Sequence, residues 1–209
     1  MSINKQAASG QKYPKVIGLL GGTFDPPHIG HLVVAAQVKS ALNLDEVWLV
    51  VANDPWQKEG TRAITAASRR IELVQAALSS QPTDNAIVVS DIEIRLGGPS
   101  YTINTLEAAQ QEVPEASFTI VIGTDVLAEL DTWHRSSELQ ASARFAVVRR
   151  AGYKINDVPG PNFQVVEIPA LDISSTELRK MVRDGRPIDF LTPAAVIQHI
   201  EAQGLYSQG

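Results

Sequence analysis

The chain has 209 residues, 44% of them hydrophobic and 20% charged, with a formal net charge of -5 at pH 7 and no cysteine. Such a length suits one large domain, or one domain with a modest appendage, and such a balance is ordinary for a globular protein that buries a substantial core. The charge argues against a general nucleic-acid coat, which needs a basic face, and the lack of cysteine excludes disulfides and thiolate metal sites. No uninterrupted apolar stretch approaches the roughly 20 residues of a membrane span, and residues 1–14 hold no apolar signal core, so the expectation is a cytoplasmic protein that touches neither membrane nor nucleic acid. Met1 to Gln11 reads as loosely ordered, within a tail at 1–14 that precedes a domain over 15–205.

Val16-Ile17-Gly18-Leu19-Leu20 reads as a buried strand and Leu32 to Val38 as a helix. Between them stands Gly21-Gly22-Thr23-Phe24-Asp25-Pro26-Pro27-His28-Ile29-Gly30-His31. Strand, glycines and helix start together suggest a phosphate site: glycine lets backbone approach an anion, and the free N–H groups of a helix start favour negative charge. His28 and His31 share one face of the first turn and can donate toward the same phosphate. Plainer readings compete. Paired glycines often mark only a tight turn, Asp-Pro-Pro serves turn and helix-start chemistry, and two histidines can hold a metal, although a helical metal pair is usually spaced i, i+4 beside a carboxylate.

Further along, Glu46 to Ala52 reads as a second strand buried on both faces, Trp56 to Arg62 as an exposed loop, and Ser68 to Leu78 as a helix body. Arg69 and Arg70 fall in its first turn, where a cation opposes the dipole unless an anion is near; one of them is expected on a solvated face. Ala86 to Ile92 reads as a third strand, Gly97-Gly98-Pro99 as a turn, and Thr102 as the cap of a helix running to about Glu112. Ser117 to Ile122 is a fourth strand, with Gly123-Thr124-Asp125 at its carboxyl end, where open α/β sheets place ligands. Asp125 either holds ribose hydroxyls or caps the next helix. A broken helical region spans Leu127 to Leu139, Arg144 to Val148 is a fifth strand with Arg149 and Arg150 after it, Gly152 to Asn162 is a connection, and Phe163 to Ile168 is the last strand. Ser174-x-x-Glu177 is a capping box opening a helix that ends near Gly185, and three successive hydroxyls followed by Arg179 and Lys180 also offer donors to a polyphosphate. Pro193 to Ala202 is a final helix. The alternation predicts a doubly wound α/β fold, a parallel sheet with a small C-terminal helical part.

GGTFDPPHIGHL, GGPSYT, IGTD followed by WH, and ISSTELR together resemble, in this order, the bacterial nicotinate-mononucleotide adenylyltransferases of NAD biosynthesis, with the similarity running from Lys15 to Leu205. The first and last motifs alone mark only the wider HxGH nucleotidyltransferase superfamily, which includes pantetheine-phosphate adenylyltransferases and cytidylyltransferases. The resemblance implies a Rossmann-like fold and transfer of AMP from ATP to nicotinic acid mononucleotide, giving deamido-NAD and pyrophosphate by direct displacement. It implies that Gly22, Thr23, Phe24, His28 and His31 hold ATP phosphates, that Gly123 and Asp125 contact the adenosine, and that Ser174, Ser175, Thr176 and Arg179 form a second phosphate cluster. Tyr101, Thr102, Trp133 and His134 match the surroundings of the pyridine ring, with Trp133 stacking on it. Lys58 and Arg70 match basic positions near the mononucleotide. Catalysis is then assigned to His28, His31, Lys58 and Arg179, with Mg2+ held by ATP phosphates and water, no protein metal ligand, and a homodimer or larger assembly. Two departures stand out: Trp56-Gln57 replaces the usual Pro-Pro-His-Lys pattern, in the manner of actinobacterial members, and Asn104 replaces an aspartate. Rival readings are adenylyl transfer to nicotinamide mononucleotide or phosphopantetheine, and a nucleotide-binding regulator without turnover.

Overall fold

Six strands and eight α-helices alternate along the described residues of the computed structural model, which are 14–55, 64–79, 86–149, 158–169 and 171–207. The strands are β1 (Val16–Gly22), β2 (Glu46–Val51), β3 (Ile87–Ser90), β4 (Ser117–Gly123), β5 (Arg144–Arg149) and β6 (Phe163–Glu167). The helices are α1 (Ile29–Ala41), α2 (Ala67–Leu78), α3 (Ile92–Leu96), α4 (Thr102–Glu112), α5 (Thr124–Leu127), α6 (Ser136–Ser142), α7 (Ser175–Arg183) and α8 (Ala194–Ala202). The expected tail, the loop with Trp56, Gln57 and Lys58, and Arg150 lie outside the described residues.

All strand pairs are parallel, in the order β3-β2-β1-β4-β5-β6. The order reverses between β1 and β4, and a doubly wound sheet opens its ligand crevice at such a switch, beyond the carboxyl ends of the two strands. Gly22 and Gly123 end those strands.

Each strand feeds both sides of the sheet because successive side chains point to opposite faces. Val47, Leu49 and Val51 of β2 join one apolar layer with Leu32, Ala35 and Val38 of α1, Leu73 and Val74 of α2, Leu178 and Met181 of α7, and Val196 and Ile200 of α8. Trp48 and Val50 turn to the other layer, with Ile92 of α3, Ile103 and Leu106 of α4, and Leu139 of α6. This is why the strands read as continuous apolar runs.

Three boundaries depart from the sequence reading. Gly21 and Gly22 still belong to β1 and are not a turn. The third apolar run is divided: β3 stops at Ser90, and Ile92 starts α3, where the Asp91 carbonyl accepts from Ile94 and Arg95 and the Arg95 side chain pairs with the Asp91 carboxylate. A five-residue helix is too short to impose a 3.6 period on the pattern. Thr102 is the first residue of α4, and Tyr101 occupies the cap without a side-chain bond.

The C-terminal helices end in defined ways. After α8 the N–H of Gly204 bonds the Glu201 carbonyl and that of Leu205 bonds the Ile200 carbonyl, with Gly204 at φ 60, a Schellman ending. Leu205 and Tyr206 then fold back onto the α2 side of the sheet.

Leu49 is fully buried in the middle of the sheet. Leu49→Ala should therefore cost about 2–5 kcal/mol of stability, read as a lowered midpoint in urea unfolding.

Candidate active site

The opening motif forms the loop joining β1 to α1, and its spacing has a steric origin. A Cβ at Gly22 would lie 2.8 Å from Cζ of Phe24, whose ring folds back over the end of β1, and a Cβ at Gly30 would lie 2.9 Å from Nδ1 of His28. Glycine is thus demanded by the two side chains that close over the backbone. Phe24 itself is buried with φ 51, in the left-handed region that non-glycine residues rarely adopt.

His28 is the N-cap of α1 and His31 its third residue. Their rings stack with centroids 3.7 Å apart, and Phe24 meets His31 edge-on at 4.9 Å. The backbone N–H of His28 donates to Nδ1 of His31 at 3.1 Å. With Nδ1 accepting, the hydrogen-bond network assigns the ring proton of neutral His31 to Nε2, as a donor. The i, i+3 spacing thus serves a ring pair at a helix start. A small cleft of about 40 Å³ beside the two histidines and Gly30 reaches Ile168, Pro169, Leu171 and Ile173, on the approach to α7.

α7 docks on the same loop. Ser174 caps it, its Oγ accepting from the N–H of Glu177 at 3.2 Å. Ser175 Oγ donates to the Pro26 carbonyl at 2.8 Å, and buried Arg179 donates to the Asp25 carbonyl at 2.6 Å and to Thr176 Oγ1 at 3.1 Å. The three hydroxyls and the guanidinium that read as a phosphate cluster are therefore brought to the first motif, and in this structure their described bonds hold the loop and the start of α7.

Asp25 is 1% exposed. Its carboxylate accepts from the Tyr206 hydroxyl at 2.6 Å and from the Thr65 N–H at 3.4 Å. Burial, with the Asp25 carboxylate beside it, pushes the Tyr206 phenol well above its usual range, so Tyr206 stays protonated as a donor. Thr192 Oγ1 donates to the Pro27 carbonyl at 2.8 Å.

Arg70, matched above to a basic position near the mononucleotide, is held beneath the loop. It is 1% exposed, and its guanidinium donates to the carbonyls of Thr65 at 2.7 Å, Thr23 at 3.0 Å, Ala52 at 2.6 Å and Asn53 at 3.2 Å. Arg69, its neighbour, is the solvated one, paired with Glu72. A guanidinium with several donors in a fixed plane suits a junction of carbonyls better than a single anion does. Lys58 lies outside the described residues.

The second half of the crevice lies across β1. Gly123 caps α5, and the Asp125 carboxylate folds over it, so that a Cβ there would meet Oδ1 at 2.3 Å. Asp125 is the exposed acidic residue in the first turn of α5, while Gly123 holds the cap position.

The Gly97 to Tyr101 loop is stitched to the end of β2: Asn53 Nδ2 donates to the Gly98 carbonyl and the Ser100 N–H to the Asp54 carbonyl, each at 2.9 Å. It carries Tyr101 and Thr102 to the start of α4, where the Tyr101 and His134 rings stack 4.3 Å apart. Arg135, at φ 53, turns the chain just after His134 and pairs with Glu107 of α4 and Glu138 of α6. Trp133 packs against the α4 layer with its indole N–H buried and without an acceptor among the described residues. The structure therefore gathers Tyr101, Thr102 and His134 and leaves Trp133 partly in the core. Behind this loop lies a larger cavity of about 260 Å³, lined among others by Ser100, Tyr101, Asn104 and the buried carboxylate of Glu93, which accepts from Thr105 Oγ1 at 2.6 Å. Sequence reasoning gave no role to Tyr206, Thr192, Asn53 or Glu93. Only Asn53, beside a turn-forming Asp-Pro, carried any signal.

A Rossmann-ordered sheet with a stacked His-x-Gly-His pair at its switch point defines a nucleotidyltransferase fold. The cytidylyltransferase-like family model matches residues 19–181. Proteins named as probable nicotinate-nucleotide adenylyltransferases include one from Exiguobacterium sibiricum, 42% identical over 91% of this chain and 98% of its own, and one from Streptomyces coelicolor, 41% identical over 90% and 98%. Among solved structures, the fold is similar to Plasmodium falciparum nicotinic acid mononucleotide adenylyltransferase complexed with NaAD, at TM-score 0.74 and 22% identity over 93% of this chain and 98% of that one. The chain belongs to the cytidylyltransferase-like family and, within it, to the nicotinate-nucleotide adenylyltransferases.

Arg70→Met should leave several buried carbonyls without donors, each costing about 1–3 kcal/mol. A melting temperature lowered by several degrees, with loss of affinity for both substrates, is the expected result in thermal unfolding and calorimetry.

Proposed function

We propose that this protein, acting in the cytoplasm, transfers AMP from ATP to nicotinic acid mononucleotide, giving deamido-NAD and pyrophosphate in NAD biosynthesis. The observation that carries the reading is the His28–His31 ring pair at the start of α1, with α7 and Arg179 fastened to the same loop at the sheet's switch point. The acceptor half is supported by the names of the curated relatives and by the Tyr101–His134 stack beside Thr102.

In the reaction a phosphate oxygen of the mononucleotide attacks the α-phosphorus of ATP. A P–O bond forms there as the bond to the β-phosphate oxygen breaks, and both electrons of that bond leave with pyrophosphate. The attacking oxygen already carries negative charge, so no proton has to be removed. The task is to align two anions and to meet the charge developing on the bridging oxygen. His31 Nε2–H, His28 and the N–H groups at the start of α1 face the triphosphate, with the positive end of the helix dipole behind them. Ser174 to Thr176 at the start of α7 approach from the other side, and Arg179 sets positive charge behind the loop. Asp125 over Gly123 offers a carboxylate to ribose hydroxyls. Among the described residues no cluster of three or more His, Asp or Glu side chains has metal-binding geometry. Magnesium enters as part of the MgATP substrate, with phosphates and water as its ligands. Tyr101, Thr102, His134 and Trp133 receive the pyridine ring.

Pyrophosphate release is the direct test: the purified chain with MgATP should produce it with nicotinate mononucleotide, and to a lesser extent with nicotinamide mononucleotide. Silence with both acceptors would overturn the reading. His31→Ala should lower turnover by about 10²- to 10³-fold, with an unchanged circular dichroism spectrum. Trp133→Ala should raise KM for the mononucleotide and leave that for ATP unchanged. An equal rise in both constants would make Trp133 a packing residue alone.

A further inference from the structure

We propose that Tyr206 is a positioning residue for the ATP-phosphate loop, acting through Asp25. Three observations converge on it. The Tyr206 hydroxyl donates at 2.6 Å to Oδ1 of a carboxylate that is 1% exposed and lies between Phe24 and His28 in the phosphate motif. A buried carboxylate depends on its hydrogen-bond donors, and the phenol is a short one, beside the Thr65 N–H at 3.4 Å.

The backbone of Tyr206 is also held where it would not rest. Its φ is 64, in the left-handed region, two residues after Gly204 at φ 60 has already completed the ending of α8. The helix cap needs one left-handed residue and glycine supplies it. A second one, at a tyrosine, is strained for an L side chain and persists only where surrounding contacts dictate it. The contact that does so is the phenol on Asp25, which aims the turn at the loop, while Leu205 anchors the turn in the core.

Finally, the two sides of Asp25 are clamped by different elements. Its carbonyl is bonded by Arg179 from α7, and its carboxylate by Tyr206 from beyond α8. Arg179 alone fixes one peptide oxygen and leaves rotation about it. With Tyr206 in place the Asp25 side chain is set, and with it the course of the chain between Phe24 and the His28 cap. Loss of the hydroxyl lets Asp25 turn to other donors and shifts the N–H groups that meet the phosphates, while Tyr101, Thr102 and His134, across the sheet on α4 and the segment before α6, stay where they are.

Only the kinetic part of the test depends on the adenylyl transfer proposed above. Tyr206→Phe, which removes one oxygen and keeps the ring, is compared with the parent for ATP affinity by titration calorimetry, for KM of each substrate, and for melting temperature. The expected result is ATP binding weakened about tenfold, the order of one hydrogen bond to a charged group, with KM for the mononucleotide within about twofold of the parent and the melting temperature lowered by a few degrees at most. Unchanged ATP affinity would overturn the proposal. So would an equal loss for both substrates, which marks a general structural role. If the parent shows no transfer to the mononucleotide, the reading of function fails, yet the ratio of ATP affinities still decides the role of Tyr206.

Discussion

Between β1 and α1 the chain passes through five residues, Thr23 to Pro27, whose carbonyls belong to no strand and no helix, and two of the five are prolines without an N–H. Most of this loop is buried, so its oxygens must find donors within the protein. Arg70 serves Thr23, Arg179 serves Asp25, Ser175 serves Pro26 and Thr192 serves Pro27. Each such bond contributes only about 0.5–1.5 kcal/mol net, but an oxygen left buried and unpaired costs about 1–3. The set therefore acts more on geometry than on stability. A peptide unit is planar, so fixing the Thr23 and Pro27 carbonyls also fixes the N–H groups of Phe24 and His28, the latter donated to Nδ1 of His31.

Arg70 extends that constraint across the crevice. The guanidinium that bonds Thr23 also bonds Ala52 and Asn53 at the end of β2, and Asn53 in turn bonds Gly98 in the loop that leads to Tyr101 and Thr102. One side chain from α2 thus ties the β1 to α1 loop to the backbone that leads to Tyr101 and Thr102. Adenylyl transfer joins two bound molecules, and the rigidity that matters is the distance between their two loops, not the stiffness of either.

The layers of the sheet were legible because buried parallel strands leave unbroken apolar runs, as in Val47 to Val51, and because helix faces repeat on their own period. The histidine pair and the glycines before it were legible as a set, although the reason for the glycines, the rings of Phe24 and His28 lying over them, emerges only in three dimensions. α3 was hidden inside an apolar run it shares with β3. The carbonyl junction made by Arg70 was not legible, because a cation in the first turn of a helix looks the same in sequence whether it meets an anion, water or carbonyls. Tyr206 and Thr192 left no local trace, since their partners lie 181 and 165 positions away. Trp133 was read as a ring platform, and the structure adds that it also packs in the α4 layer.

Those separations bear on how the protein comes into being. Arg70 holds the Thr23 carbonyl of the β1 to α1 loop from 47 positions away, but the side chains on its other bonded carbonyls and on its buried aspartate come from positions 175, 179, 192 and 206. On the ribosome the β1 to α1 segment must wait, with β1 free to pair with β2 but with the loop beyond it only partly fastened, until α7, α8 and the turn after them have emerged. Long-range closures of this kind are slow relative to local folding. The fixed course of this loop is therefore a late property of the growing chain, which has much of its sheet before Asp25, Pro26 and Pro27 are held.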